Sequence, residues 1–259
     1  MLINLFAPKT SMKLVLSEPR FFKDSIGIIS EMVTEAKFKA NKDGLELVAM
    51  DQANVAMIVF KLLASCFSEY KVEKQEIIAI NLASLKQILR RAKSDDILSL
   101  ETTDDSKLMI TMKSNTIRSF SIPTLEIDDK EQRVPELQFQ YSLMLPSSML
   151  VDAIDDVSVV GESVTFLGDA KEMLIKAEGD MSKALIEIKP NEVVIISAKG
   201  TDKCKSKYSL EYLKKMATGG KLAEQAHVQF SSDYPLKIDY KVTDRLMMSF
   251  ILAPRVDND

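Results

Sequence analysis

Two stretches about half a chain length apart carry one pattern. Residues 84–92 read SLKQILRRA and residues 209–217 read SLEYLKKMA in a chain of 259. At helical spacing Leu85, Ile88 and Leu89 stack on one face of the first, while Lys86, Arg90 and Lys93 line another. The second repeats the Ser-Leu start, a leucine one turn on, two adjacent bases and a closing alanine. A basic amphipathic helix that occurs once is usually a solvated face. The same helix in both halves of a chain implies a duplicated architecture, and the segments around it follow suit.

Met12–Leu16 alternates as a strand, and Glu18-Pro19 opens a helix of about four turns with Phe22, Ile26, Ile29 and Val33 inward. Residues 37–39 and 45–50 form a hairpin around Asn41-Lys42-Asp43-Gly44. Asp51-Gln52-Ala53-Asn54 then turns into a strand at 55–62, and a short strand at 77–80 leads to the first basic helix. Residues 97–101 and 108–112 pair around Thr103-Asp104-Asp105, and 116–122 adds a strand. Residues 123–135, PTLEIDDKEQRVP, are acidic, bounded by prolines and without periodicity, so they read as a connector. The order then recurs: a strand at 141–145, a helix capped by Pro146-Ser147-Ser148 with Leu150, Ile154 and Val157 inward, and strands at 172–177 and 184–189 around Glu178-Gly179-Asp180. Residues 193–198, the second basic helix, and strands at 227–230, 236–242 and 247–252 complete it. LELVAMD at 45–51 has its counterpart in LIKAEGD at 174–180. The expected fold class is α+β, with two similar domains of about 125 residues, at 1–122 and 136–259, joined by 123–135.

With 34 Lys and Arg against 38 Asp and Glu, the net charge of −4 advertises no nucleic-acid binding globally, so such a role has to come from a local patch. Two distant cysteines, Cys66 and Cys204, fit a reduced intracellular compartment better than a disulfide framework. No apolar run approaches the length of a membrane helix, and Pro8, Lys9 and Lys13 break the mildly apolar N-terminus, so neither a membrane partner nor a signal peptide is expected.

Gly219-Gly220-Lys221-Leu222 lacks the spacing and the hydroxyl of a phosphate loop. One histidine and two distant cysteines supply neither a zinc site nor a Cys/His pair, and His227 reads as structural. Acidic pairs occur at Asp95-Asp96, Asp104-Asp105, Asp128-Asp129 and Asp155-Asp156, and a two-metal nuclease would need such carboxylates. The first three fall in turns or the connector, where Asp is favoured for local reasons, and none comes with a base or nucleophile. The expectation is a protein with no catalytic residue, metal or cofactor.

Three stretches converge on a resemblance. LVAMDQANV at 47–55 resembles the "MD-x-x-x-V" strand–turn–strand of the proliferating cell nuclear antigen (PCNA) sliding clamps, Asp233-Tyr234-Pro235-Leu236 its "x-x-PL" segment, and Leu252-Ala253-Pro254-Arg255 its C-terminal "LAP[KR]". The resemblance covers roughly residues 12–257 and leaves Met1–Ser11 outside, with Met12 an alternative start. It implies a subunit of a trimeric ring around duplex DNA, with sheets outside and two helices per domain inside. Bases on those helices would hold phosphates without sequence preference.

Carried over by position, the resemblance implies DNA contacts at Arg20 and Lys23, at Lys86, Arg90 and Arg91, and at Lys214 and Lys215. Where relatives carry arginines on the third helix, this chain has Asp152, Asp155 and Asp156, which act as a repulsive segment if they face DNA. The implied partner site is a hydrophobic pocket for a short peptide with aromatic anchors. Its positions are Met50, Asn54, Val55 and Met57, Val134 and Pro135 in the connector, and Pro235, Ile251, Leu252, Ala253 and Pro254. Polymerase, clamp loader, flap endonuclease and DNA ligase are the implied partners. Subunits would join edge strands, 116–121 of one copy with 183–189 of the next, through Ile117, Phe120, Ala184, Leu185 and Ile186. The competing readings are a scaffold subunit of a heterotrimeric ring and, third, an enzyme on a similar fold.

Overall fold

The computed structural model describes residues 12–103, 105–127, 132–200 and 203–256. Met1–Ser11, Asp104 and the connector pair Asp128-Asp129 lie outside the described residues. Two compact units form, one from Met1–Leu47, Phe60–Glu131 and Thr243–Leu246, the other from Val48–Val59, Gln132–Val242 and Met247–Asp259.

The first repeat runs β1 (Met12–Leu16), α1 (Arg20–Ile29), β2 (Glu35–Asn41), β3 (Gly44–Met50), β4 (Ala56–Leu63), β5 (Glu69–Val72), β6 (Glu76–Asn81), α2 (Leu82–Leu89), β7 (Ile97–Thr103), β8 (Lys107–Lys113) and β9 (Ile117–Pro123). The second runs β10 (Tyr141–Pro146), α3 (Ser147–Ser158), β11 (Ser163–Gly168), β12 (Met173–Glu178), β13 (Lys183–Ile188), β14 (Ile195–Ala198), β15 (Cys204–Ser209), α4 (Leu210–Ala217), β16 (Gln225–Phe230), β17 (Leu236–Val242) and β18 (Leu246–Leu252). Strand orders match too: β4-β3-β2-β6 and β5-β1-β7-β8-β9 in the first, β13-β12-β11-β15 and β14-β10-β16-β17-β18 in the second. The pairings are antiparallel, as in β7 with β8 from Ile97↔Lys113 to Thr103↔Lys107. The α+β class and the duplication both hold.

Alternation places each core. In β1 Met12, Leu14 and Leu16 are buried while Lys13 and Val15 are half-exposed, and Phe22 and Leu85 from the helices line one small cavity with Met12 and Leu14. In the second repeat Phe166 lies 5.5 Å from Tyr208 and 5.9 Å from Phe230, and Phe230 lies 4.9 Å from Tyr141, measured between ring centroids. The β2–β3 hairpin turns on Asn41, whose side-chain oxygen accepts from the amides of Asp43 and Gly44. Gly44 has φ 152°, and a Cβ there would meet the Leu62 carbonyl oxygen at 2.3 Å, so no larger residue fits.

Several local expectations are corrected. The first helix ends at Ile29, short of four turns, because Glu31 and Met32 bond to the carbonyls of Ile28 and Ile29 and tighten the exit. Val33 is buried nonetheless. α3 starts on Pro146 without a side-chain cap, so Ser147 and Ser148 are helical residues. The amide of Ser147 instead finds the Glu224 carbonyl. Strands β5, β11 and β15 were not expected; β15 buries Cys204, Ser206 and Tyr208, two of them small, which weakens its apolar alternation.

The helical repeat also shifts register. α2 begins at Leu82 behind Asn81, and α4 at Leu210 behind Ser209. The counterpart of Ser209 is therefore Asn81, one helical turn before Ser84. Leucines every three or four residues satisfy either alignment, whereas the strand-to-helix junction satisfies one.

Candidate functional site

On α2 the Asn81 side chain accepts from the Ser84 amide and fixes the helix start. Leu82, Leu85 and Leu89 are buried, so Ala83, Ser84 and Gln87 form the solvent face, followed by exposed Arg90 and Arg91. Positive charge thus gathers at the C-terminal end, where the helix dipole favours it. The basic face expected from Lys86, Arg90 and Lys93 gives way to that arrangement. Lys86 has a side chain only 21% exposed and pairs with Glu31. Lys23 on α1 donates to the Ala92 carbonyl at 2.9 Å, and Arg20 pairs with Asp24 at 3.6 Å.

The loop after α2 is anchored from β9. Arg118 donates to the Arg91 carbonyl and to the wholly buried Asp96 carboxylate. With the Lys93 amide also bonded, that pairing holds Asp96 down to about 2. The sequence assigns Asp96 to a turn and leaves Arg118 without a role.

In the second unit α3 and α4 pack together. Lys214 is exposed and reaches Ser158, and Lys215 pairs with Glu211 at 2.7 Å while lying over the Tyr212 ring. Asp152, Asp155 and Asp156 are exposed on α3, and Asp152 and Asp156 line a groove with Ile186, Glu187 and Ile188 of β13. The acids therefore border an edge strand.

The turn between β3 and β4 is held by one carboxylate. Asp51 Oδ1 accepts from the amides of Val55 and Ala56 at 2.8 and 2.7 Å. Its Oδ2 accepts from the Ala53 amide at 3.1 Å and from the Tyr212 hydroxyl at 2.5 Å. Burial opposes the charge, but these donors outweigh it and keep the carboxyl below its ordinary value. The same bond, then burial, pushes Tyr212 up to about 12. Asn54 takes φ 57°, a left-handed conformation that Asn tolerates.

Around this turn several pocket candidates meet. The Val55 carbonyl accepts from the Ala253 amide, and the Arg255 amide reaches the Lys207 carbonyl, so the C-terminal segment lies between the turn and β15. Tyr208 and Ser206 of β15 donate to the Tyr234 carbonyl, which brings Pro235 alongside. Met50, Val55, Pro235, Ala253 and Pro254 are half-exposed and Asn54 is exposed. Met57, Ile251 and Leu252 are buried. Val134 and Pro135 stand exposed in the connector, and Phe139, which follows it, packs on Tyr234 at 6.0 Å between ring centroids. Which of these candidates are buried and which exposed depends on register and was not legible in sequence; Asp51 was visible only as a turn residue.

β9 and β13 end their strand orders and so present open edges. Ile117 is 69% and Leu185 59% exposed, with Phe120, Ala184 and Ile186 half-exposed. His227, half-buried on β16, sits 3.8 Å from Asp239 with its pKa lowered by burial. Among the described residues no group of three or more His, Cys, Asp or Glu is placed to hold a metal, and no helix is long and apolar enough to cross a membrane.

Among the described residues, two repeats of nine strands and two α-helices, each with the same strand order, define the duplicated α+β clamp fold. The crystal structure of PCNA from Entamoeba histolytica matches with a TM-score of 0.89 over 95% of this chain and all of that one, at 20% identity, which speaks for fold alone. PCNA from Thermococcus kodakaraensis matches with a TM-score of 0.88 at 27% identity over 94% and 100% of the two chains. In sequence, residues 12–132 match the model of the PCNA N-terminal domain and 133–255 that of the C-terminal domain. The DNA polymerase sliding clamp of Thermococcus gammatolerans is 33% identical over 95% of this chain and 98% of that protein. That of Nanoarchaeum equitans is 31% identical over 95% and 100%. The chain belongs to the proliferating cell nuclear antigen family.

Proposed function

We propose that this chain is a DNA sliding clamp: three copies close head to tail around duplex DNA and tether replication and repair enzymes inside the cell. The observation that carries the reading is the pair of matching helices, α2 and α4, each with a buried leucine face and bases at its C-terminal half, in a family whose relatives are named for clamping polymerases. Bases there meet phosphates in any sequence, so the ring slides. The protein works without catalysis, metal or cofactor, by keeping its partners near DNA.

Arg90, Arg91 and Lys214 present charge most directly, Arg20 does so while paired with Asp24, and Lys23, Lys86 and Lys215 lie behind them in internal bonds. Partners dock as short peptides with apolar anchors on the rim of Met50, Val55, Pro235, Ala253 and Pro254, with Val134 and Pro135 supplied by the connector. Polymerase, clamp loader, flap endonuclease and ligase are the partner classes. Copies join by pairing β9 with β13 of the next, through Ile117, Phe120, Ala184, Leu185 and Ile186.

Primer extension on a singly primed circular template tests the function. Long products that require this protein support it, and product lengths indifferent to it refute it. Light scattering on the pure chain separates a homotrimer from a subunit that assembles only with paralogues.

A further inference from the structure

We propose that Tyr212 is a positioning residue for the partner-peptide site: its hydroxyl holds the Asp51 carboxylate, and the carboxylate holds the turn that carries Asn54 and Val55. The proposal rests on the reading that the rim around that turn receives a peptide.

An ionised carboxylate offers about four acceptor sites, and here four donors fill them: the amides of Ala53, Val55 and Ala56 and the Tyr212 hydroxyl. Asp51 is only 6% exposed, so a lost donor is not freely replaced by water. The turn also carries Asn54 at φ 57°, a conformation that the surrounding bonds have to maintain. Val55, between two of those bonds, passes the turn's position on through its carbonyl to the Ala253 amide. The rim thus inherits its shape from Asp51.

Tyr212 itself is placed by α4. Leu210 and Leu213 bury one face of that helix, and the Lys215 amine lies 5.4 Å from the Tyr212 ring centroid. The phenol therefore ties the pocket rim to the helix proposed to face DNA. Removing its hydroxyl leaves ring, helix and core in place, so the consequence is confined to the turn. A rim already set in the bound shape spares a peptide the ordering it would otherwise require.

The test is Tyr212→Phe in the full chain, with Asp51→Asn and the double variant beside it. Hydrogen exchange of the Ala53, Val55 and Ala56 amides is measured first, then the anisotropy of a fluorescein-labelled synthetic peptide with one aliphatic and two aromatic anchors on a helical turn. Amide exchange and peptide dissociation constant should each rise about tenfold, the low end for a hydrogen bond to a charged acceptor. The melting temperature should fall by no more than about 6 °C, amides of β16 should be unaffected, and the two single effects should not add in the double variant. Unchanged turn exchange and unchanged affinity in Tyr212→Phe overturn the proposal, as does a general rise in exchange with a large drop in melting temperature. A wild-type chain that ignores the peptide overturns the pocket reading itself, and that result is distinguishable because it needs no substitution.

Discussion

The seven bases proposed to face DNA are not equivalent, and their internal partners rank them. Lys86 pairs with Glu31, Lys215 with Glu211, and Lys23 donates its amine to the Ala92 carbonyl. Arg90 and Arg91 are exposed at the end of α2. Each phosphate neutralised adds about 0.9 to the slope of log affinity against log salt. Replacing both arginines by alanine should therefore flatten that slope by up to about 1.8 for each protomer touching the duplex. Between about 50 and 200 mM salt, that reduces the fall in affinity by roughly tenfold. Lys86→Ala should flatten it by well under one contact, because Lys86 is already committed to a carboxylate and its removal also frees Glu31. Fluorescence anisotropy with a short blunt-ended duplex, onto which a ring can thread, gives the slopes. If Lys86→Ala flattens the slope as much as the double arginine variant, the ranking is wrong; if neither changes it, α2 does not face DNA.

Asp96→Asn should cost roughly 2 kcal/mol at pH 7, since the carboxyl lies at about 2 in the fold against an ordinary 3.8. The depressed carboxylate stabilises above pH 4 and loses that contribution as pH falls towards 2, so urea unfolding at fixed protomer concentration should show wild type and variant converging there. Leu185→Asp places a charge on the exposed β13 edge and should give monomers by light scattering, whereas a retained trimer would rule out that edge as the interface. Val55→Glu should weaken the labelled peptide at least tenfold while leaving DNA affinity unchanged; equal peptide binding would move the partner site elsewhere.

Much of the fold is local physics and is legible without coordinates. The turn residues Asn41 to Gly44 and alternation in β1, β7 and β8 announce strands through a period of two. The recurring order of elements announces the duplication. Three strands escaped because β15 alternates around Cys204 and Ser206, β5 is only four residues long, and β11 (SVTFLG) buries only Val164 and Phe166 before ending on a glycine. The helix register escaped because a leucine ladder repeats itself every turn.

What the sequence alone determined was the class of chain: two α+β repeats, a basic amphipathic helix in each, and an acidic total. The tertiary structure decided which of those bases are engaged, which of the pocket candidates are buried and which exposed, and where Asp51 finds its fourth donor. Tyr212 lies 161 positions from Asp51. Periodicity reports a residue's neighbours along its own helix or strand, whereas a bond across that separation exists only once packing has brought the β3–β4 turn and α4 together.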